Sequence, residues 1–153
     1  MGKLTKSIEI AASPEAVFNF INDLEKMNKA HAGFTEAQYT SKGPVGVGTT
    51  ARFIGSHGGT HTEWNMEITE FEPNKRITWN STGPNKLINI FTIEPASNGA
   101  KLTHSGAYEV PYSVLGKLVD KLKVSKDVDK EVTLELENVK KALETQKLLT
   151  SAH

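Results

Sequence analysis

The stretch SKDVDKEVTLELENVKKALETQKL, residues 125–148, decides the fold. Within it apolar residues recur at steps of three and four: Val128, Val132, Leu136, Val139 and Leu143. This spacing predicts an amphipathic helix with one buried stripe, and charged residues such as Lys140 and Glu144 are expected on the solvent side. A helix of roughly 30 Å, at about 1.5 Å per residue, cannot bury such a stripe alone. We therefore expect it to lie against a sheet.

The beginning of this helix has two candidates. Ser113 could cap a first amphipathic segment that contains Val114, Leu118 and Leu122. Ser125 could cap a second segment, because Asp127 and Asp129 would then lie in a first turn, where the helix dipole favours acids. We expect the helix to run from Ser113 or Ser125 to Leu148, with a break or kink near Val124.

Composition limits the class of protein. The 153 residues fit one domain, 1–153, that is large enough to bury a core. Lys plus Arg and Asp plus Glu each number 18, so the zero net charge predicts no nucleic-acid partner. The absence of Cys excludes thiol catalysis, disulfides and thiolate metal sites, and suggests a reducing, cytoplasmic location. The polar start, Met1 to Ser7, predicts neither a signal peptide nor a membrane span.

The rest of the chain is typical of a strand, two short helices and a meander. Leu4 to Ala11 alternates like a strand, and Ser13 followed by Pro14 predicts a capped helix. A second short turn is expected from Leu24 to Lys29. Six further strands are predicted from alternation and from Gly, Pro and Asn punctuation: Phe34–Ser41, Thr49–His57, His61–Phe71, Arg76–Ser81, Leu87–Glu94 and Lys101–Val110.

The pair Gly58–Gly59 predicts a two-residue hairpin, because primed turns need the positive φ that glycine supplies. The predicted register pairs His57 with Thr60, Phe53 with Trp64 and Ala51 with Met66, all on one side. The other side is mostly polar and is expected to face solvent. Trp64, Met66 and Ile68 should point into the core.

The same alternation places a polar set among the inward residues. Asn89, His57, His104 and Tyr108 join aromatic residues such as Phe91, which is more polar than a dry core usually tolerates. A partly hollow interior would explain this. Two alternatives stay open: Trp64 and Trp79 could be ordinary core or ligand wall, and His104 could be a hydrogen-bonded core histidine rather than a catalyst.

Five motifs, in this order, resemble the helix-grip superfamily (SRPBCC, START/Bet v 1-like) and its polyketide cyclase/dehydrase and lipid-transport group. They are ASPEAVF at 12–18, GVGT at 46–49, ITEFEPNKRI at 68–77, SNGAKLT at 97–103, and Leu136, Val139, Lys140 and Glu144 near the end. Ala100 stands where the family usually has Thr. The resemblance implies an α+β fold: a seven-stranded antiparallel sheet wrapped around a long C-terminal helix, two short helices between strands 1 and 2, and a hydrophobic cavity.

Other sites are disfavoured by the predicted structure. Gly46, Gly48 and Ala51 spell a dinucleotide-binding pattern, but β-prone residues follow where a helix is required. His57 and His61 have metal-ligand spacing, yet the hairpin register sends them to opposite faces. We therefore expect no metal and no cofactor.

The favoured function is binding or transport of a small hydrophobic ligand, lipid or polyketide-like aromatic, in the cavity without covalent chemistry. One alternative is a cyclase or dehydratase that uses His104 or Tyr108 as acid or base. A further alternative is a protein-interaction module, and the oligomeric state is not predicted. The residues expected to line the ligand are Phe53, His57, Trp64, Met66, Trp79, Asn89, Phe91, His104, Tyr108 and Val128.

Overall fold

A computed structural model describes residues 2–30, 34–57, 60–109 and 121–151, with side chains over 2–30, 36–55, 61–109 and 124–146. The elements in chain order are β1 (Gly2–Ile10), α1 (Pro14–Ile21), α2 (Leu24–Ala30), β2 (Phe34–Tyr39), β3 (Thr50–His57), β4 (Thr60–Glu72), β5 (Arg76–Ser81), β6 (Leu87–Ala96), β7 (Gly99–Tyr108) and α3 (Lys121–Ser151).

The seven strands form one antiparallel sheet in the order β1-β7-β6-β5-β4-β3-β2. Each strand from β2 to β7 therefore pairs with its neighbour in sequence, which is the predicted meander. The strand β1 closes the far edge by pairing with β7, and α1 and α2 connect β1 to β2. The predicted helix-grip architecture is confirmed.

The helix α1 begins as its sequence predicts. The Ser13 hydroxyl accepts a hydrogen bond from the Ala16 backbone N–H at 3.1 Å, and Pro14 occupies the first helical position. The buried side of α1 includes Phe18, whose ring packs edge-to-face on Phe71 of β4 at 5.3 Å. The cap fixes the start of α1, and the buried side of the helix then packs against the sheet through Phe18.

The predicted hairpin register between β3 and β4 is confirmed. His57 pairs with Thr60, Phe53 with Trp64, and Ala51 with Met66. Trp64 and Met66 are buried, whereas Arg52 on the opposite face is exposed. The strand β2 is shorter than predicted, because it ends at Tyr39 rather than at Ser41.

The C-terminal helix corrects one prediction. α3 is a continuous helix from Lys121 to Ser151, so the break expected near Val124 and the cap expected at Ser125 are wrong. Val124, Val128 and Val132 keep a spacing of four residues, so an unbroken helix continues the apolar stripe past this point. The alternative start at Ser113 and the segment 113–120 lie outside the described residues.

The stripe of α3 is buried as predicted, with Leu136 and Val139 at 2% and 0% exposure. The helix packs against β1, β7 and the two short helices. In the second half of the helix, Lys140 Nζ donates to the Glu9 carbonyl at 2.8 Å, and the Ala11 N–H donates to Glu144 Oε2 at 3.0 Å. Lys140 and Glu144, expected simply to face solvent, therefore tie α3 to β1.

Gly99 begins β7 at a point where two backbones nearly touch. Its φ is +149°, and a Cβ there would lie 2.4 Å from the Ile10 carbonyl oxygen. This close approach requires glycine, which gives the SNGAKLT motif a packing role. Among the described residues, no helix combines the length and the apolar composition needed to cross a membrane.

Candidate functional site

Large side chains from the central strands form a wall on the inner face of the sheet. Phe53, Trp64, Trp79 and Phe91 are each 6% exposed or less, and Met66 is 1% exposed. The Phe53 and Trp79 rings lie 5.3 Å apart at an interplanar angle of 56°. We call these five residues the aromatic wall; all five were predicted to face inward.

Strand pairing determines how the wall is assembled. Alternate residues of a strand face the same side, and paired residues on antiparallel strands are neighbours. Trp79 on β5 pairs with Asn89 on β6, and Phe91 on β6 pairs with His104 on β7. The register therefore brings the predicted polar residues directly beside the wall.

A buried polar cluster lies beside the wall and extends from the sheet to the helix. His104, Asn89 and Glu135 are 3%, 5% and 2% exposed. His104 Nε2 lies 3.3 Å from Asn89 Oδ1, and His104 Nδ1 lies 3.4 Å from Glu135 Oε2. The Phe91 ring stacks on the imidazole with centroids 4.3 Å apart. These three residues are called the polar cluster below.

The chemistry of the polar cluster constrains its protons. An amide oxygen only accepts, so His104 Nε2 must donate to Asn89 and therefore carries a proton. The other ring nitrogen, Nδ1, lies 3.4 Å from Glu135 Oε2 but makes no hydrogen bond with it. The two groups are therefore held face to face in the core without a direct hydrogen bond between them.

Glu135 was missed by the sequence analysis, although a signal for it exists. The residue lies three positions after Val132 and four before Val139, within the same apolar stripe. A carboxylate at such a position is seldom buried without a partner, so it predicts a polar contact across the core. Its partner, His104, could not be identified without the sheet register.

Tyr108 lies apart from His104. It is four residues further along β7, about 13 Å at about 3.3 Å per residue. It pairs with Gly2 of the edge strand, and a Cβ on Gly2 would lie 2.3 Å from the Tyr108 ring. The ring therefore covers Gly2, and the structure does not join the two candidate acid–base residues in one group.

Two other predicted ligand residues lie away from the polar cluster. Val128 on α3 is partly buried and packs against the core. His57 ends β3 opposite Thr60, and its side chain lies outside the described residues. The register places His57 and His61 on opposite faces of the hairpin. Over the described side chains, no group of three or more His, Asp or Glu is arranged to hold a metal.

Tyr39, which the sequence analysis did not select, extends the wall toward β2. Its ring lies 6.4 Å from that of Trp79, and its hydroxyl donates to the Asn22 carbonyl at 2.5 Å. Burial, with a smaller contribution from the charge of Asp23, raises the pKa of Tyr39 to about 12. The phenol is therefore a neutral donor that holds the end of α1 to β2.

A separate cleft of about 120 Å³ lies where α3 meets β1 and the β6–β7 turn. It is lined partly by Lys140 and Glu144, which already bond to each other and to β1. Sites for drug-sized molecules usually enclose about 300–1,000 Å³. This cleft is too small for such a molecule. The aromatic wall and the polar cluster, most of whose residues the sequence predicted to line the ligand, are the candidate site.

Solved structures with the same fold come from several sources. TTHA0849 from Thermus thermophilus has a TM-score of 0.78 at 20% identity, covering 94% of this chain and 98% of that one. NE0264 from Nitrosomonas europaea has a TM-score of 0.71 at 14% identity, covering 96% and 97%. The di-domain ARO/CYC protein StfQ of the steffimycin biosynthetic pathway has a TM-score of 0.72 at 11% identity, covering 95% of this chain and 51% of that one. These similarities show the fold.

Among curated proteins no significant match is found. The family model described as polyketide cyclase / dehydrase and lipid transport matches residues 1–144, and the predicted order of motifs falls within this range. The chain therefore belongs to the polyketide cyclase/dehydrase and lipid-transport family.

Proposed function

We propose that this protein binds one small, largely apolar molecule between the inner face of the sheet and α3, without covalent chemistry. The observation that carries the proposal is the placement of the polar cluster directly beside the aromatic wall. Ligand sites are typically apolar and aromatic, with a few well-placed polar groups. The family description, which names lipid transport, supports the same class of ligand.

The energetics of the polar cluster support a role beyond core filling. A buried ion or proton-sharing pair is often no more stable than well-packed apolar residues of similar volume. The pair formed by His104 and Glu135 is 3% and 2% exposed, so its groups have lost nearly all hydration. Stability alone therefore does not explain why such a pair is buried in the core. Orientation of a bound ligand would explain it.

The position of α3 also favours a ligand over the central strands. The helix backbone approaches the sheet most closely at β1, the edge strand, and at its neighbour β7. Phe53, Trp64 and Trp79 project from β3, β4 and β5, away from that edge. We propose that Phe53, Trp64, Met66, Trp79 and Phe91 contact the ligand's apolar surface, with Asn89 and His104 beside them and Tyr108, Val128 and His57 at the periphery.

Tryptophan emission tests this proposal, because both tryptophans belong to the wall. We expect titration with fluorene, a flat tricyclic hydrocarbon, to change the emission saturably. Trp64→Phe and Trp79→Phe variants each keep one reporter and show whether each side chain senses the probe. A folded protein whose emission responds to fluorene only linearly, or not at all, contradicts the proposal.

A second candidate function is supported by the buried imidazole of His104 lying 3.4 Å from the Glu135 carboxyl group. Such a pair can act as a general acid or base, and the family description includes cyclases and dehydrases. In a turnover assay with a polyketide-like substrate, His104→Ala should lower kcat by about 10²- to 10⁴-fold. Tyr108→Phe tests the other acid–base candidate separately. Unchanged turnover in both folded variants removes them from any mechanism.

A further inference from the structure

The Asn89 side chain has a fixed orientation. Its amide oxygen accepts from His104 Nε2, the Phe91 ring stacks on the imidazole, and the other ring nitrogen lies 3.4 Å from Glu135 Oε2 on α3. Because the oxygen is turned toward His104, the Asn89 amide nitrogen must point the other way. The helix and the sheet together therefore hold the two N–H donors of Asn89 in place.

These donors have an unmet hydrogen-bonding capacity. Asn89 is 5% exposed as a residue, but its amide nitrogen is not among the fully buried atoms that lack a partner, so it keeps a small accessible area. In the part of the chain that the structure describes, its only side-chain hydrogen bond is the one to His104. Buried side-chain amides nearly always have partners for their donors. An acceptor brought by a ligand would complete the group.

We infer that Asn89 is the polar anchor of the ligand site and takes an oxygen acceptor, such as the carbonyl oxygen of a flat aromatic ketone. This inference rests on the proposed function and names the ligand class of the same site. Asn89 pairs with Trp79 on β5 and lies two residues from Phe91 on β6. A planar ligand lying along these rings would place an oxygen at its edge near the Asn89 amide.

His104 and Glu135 are positioning residues in this arrangement. His104 makes the hydrogen bond that selects the amide orientation, and Glu135 Oε2 lies 3.4 Å from the other ring nitrogen. Neither has to touch the ligand. Selectivity for a ligand with a hydrogen-bond acceptor thus depends on contacts that run from Glu135 on α3 through His104 on β7 to Asn89 on β6.

The test compares two probes that differ by one carbonyl group, 9-fluorenone and fluorene. Dissociation constants are measured by equilibrium dialysis for the wild type and for Asn89→Asp. That variant keeps the size of the side chain and the oxygen that accepts from His104, but replaces the two donors by an acceptor. The ratio of the two dissociation constants is compared between the wild type and the variant. This comparison removes the contribution that the different hydration of the two probes makes to binding.

We expect Asn89→Asp to weaken fluorenone binding about three- to tenfold relative to fluorene, the usual effect of one hydrogen bond. Asn89→Leu, which also lacks donors, should reduce the relative preference similarly, and it serves as the second variant if Asn89→Asp fails to fold. His104→Phe should produce a smaller loss, because it releases the amide without removing its donors.

The outcomes separate the two claims. If both probes bind and their ratio is the same in the wild type, Asn89→Asp and Asn89→Leu, the Asn89 anchor is wrong and the proposed binding function stands. If neither probe binds the folded wild type, the proposed function fails and the anchor fails with it.

Discussion

Replacing Glu135 by Leu should destabilise the protein more than any exposed substitution on α3. Glu135 is 2% exposed, and its carboxylate lies 3.4 Å from His104 Nδ1. Removing one member of a buried pair leaves the other without its partner and typically costs about 3–5 kcal/mol. A domain of this size usually has a stability of about 5–15 kcal/mol, so the loss would be a large fraction of the total.

The double variant gives the sharper comparison. His104→Phe alone should also be costly, but His104→Phe combined with Glu135→Leu replaces both polar groups by apolar ones, and its cost should be well below the sum of the two. Urea unfolding of the wild type, both single variants and the double variant measures this coupling. Single-variant costs below about 1 kcal/mol, or costs that simply add, would refute the argument that the buried pair links helix and sheet.

Three further predictions follow from individual contacts. Phe91→Ala should cost less than the about 3–5 kcal/mol lost at a fully packed Phe, and it should change the affinity for fluorene, because this side chain is proposed to contact the ligand. Leu102→Ala, at a fully buried core position, should cost about 2–5 kcal/mol and leave binding unchanged. A full penalty at Phe91 with unchanged binding contradicts a ligand contact there. The raised pKa of Tyr39, about 12 against the ordinary 10, stabilises the fold fully below pH 10, and urea unfolding should show this contribution being lost between pH 10 and 12. In Tyr39→Phe the loss of stability between pH 10 and 12 should be smaller. An identical loss in the variant would show that other groups cause it. Glu144→Gln should lower stability by about 1 kcal/mol or less, because the contact is partly exposed, and the exposed control Glu137→Gln should have no measurable effect in the same unfolding assay.

Local sequence signals predicted the sheet and most of its inner face. The glycine pair at 58–59 lies between two alternating runs, and this was enough to place Phe53 opposite Trp64. Once that register is known, alternation alone determines which residues share the inner face. His104 and Asn89 were thus predicted to be inward-facing, although not to touch each other.

Contacts between distant elements could not be predicted in the same way. Glu135 and His104 are 31 positions apart, and their contact depends on how α3 lies across the sheet. The break expected near Val124 relied on local capping preferences at Ser125, and these were weaker than the continuous apolar stripe. Local propensity therefore gave the wrong result where packing over several turns decides the structure.

Native mass spectrometry of the folded protein mixed with excess 9-fluorenone shows whether one apolar molecule occupies the space between sheet and helix. We expect a complex whose mass exceeds that of the protein by one probe molecule, and which disappears when the protein is unfolded by acid. A folded protein that shows only its own mass, or that takes up several probe molecules without saturation, would contradict the proposed binding of one molecule.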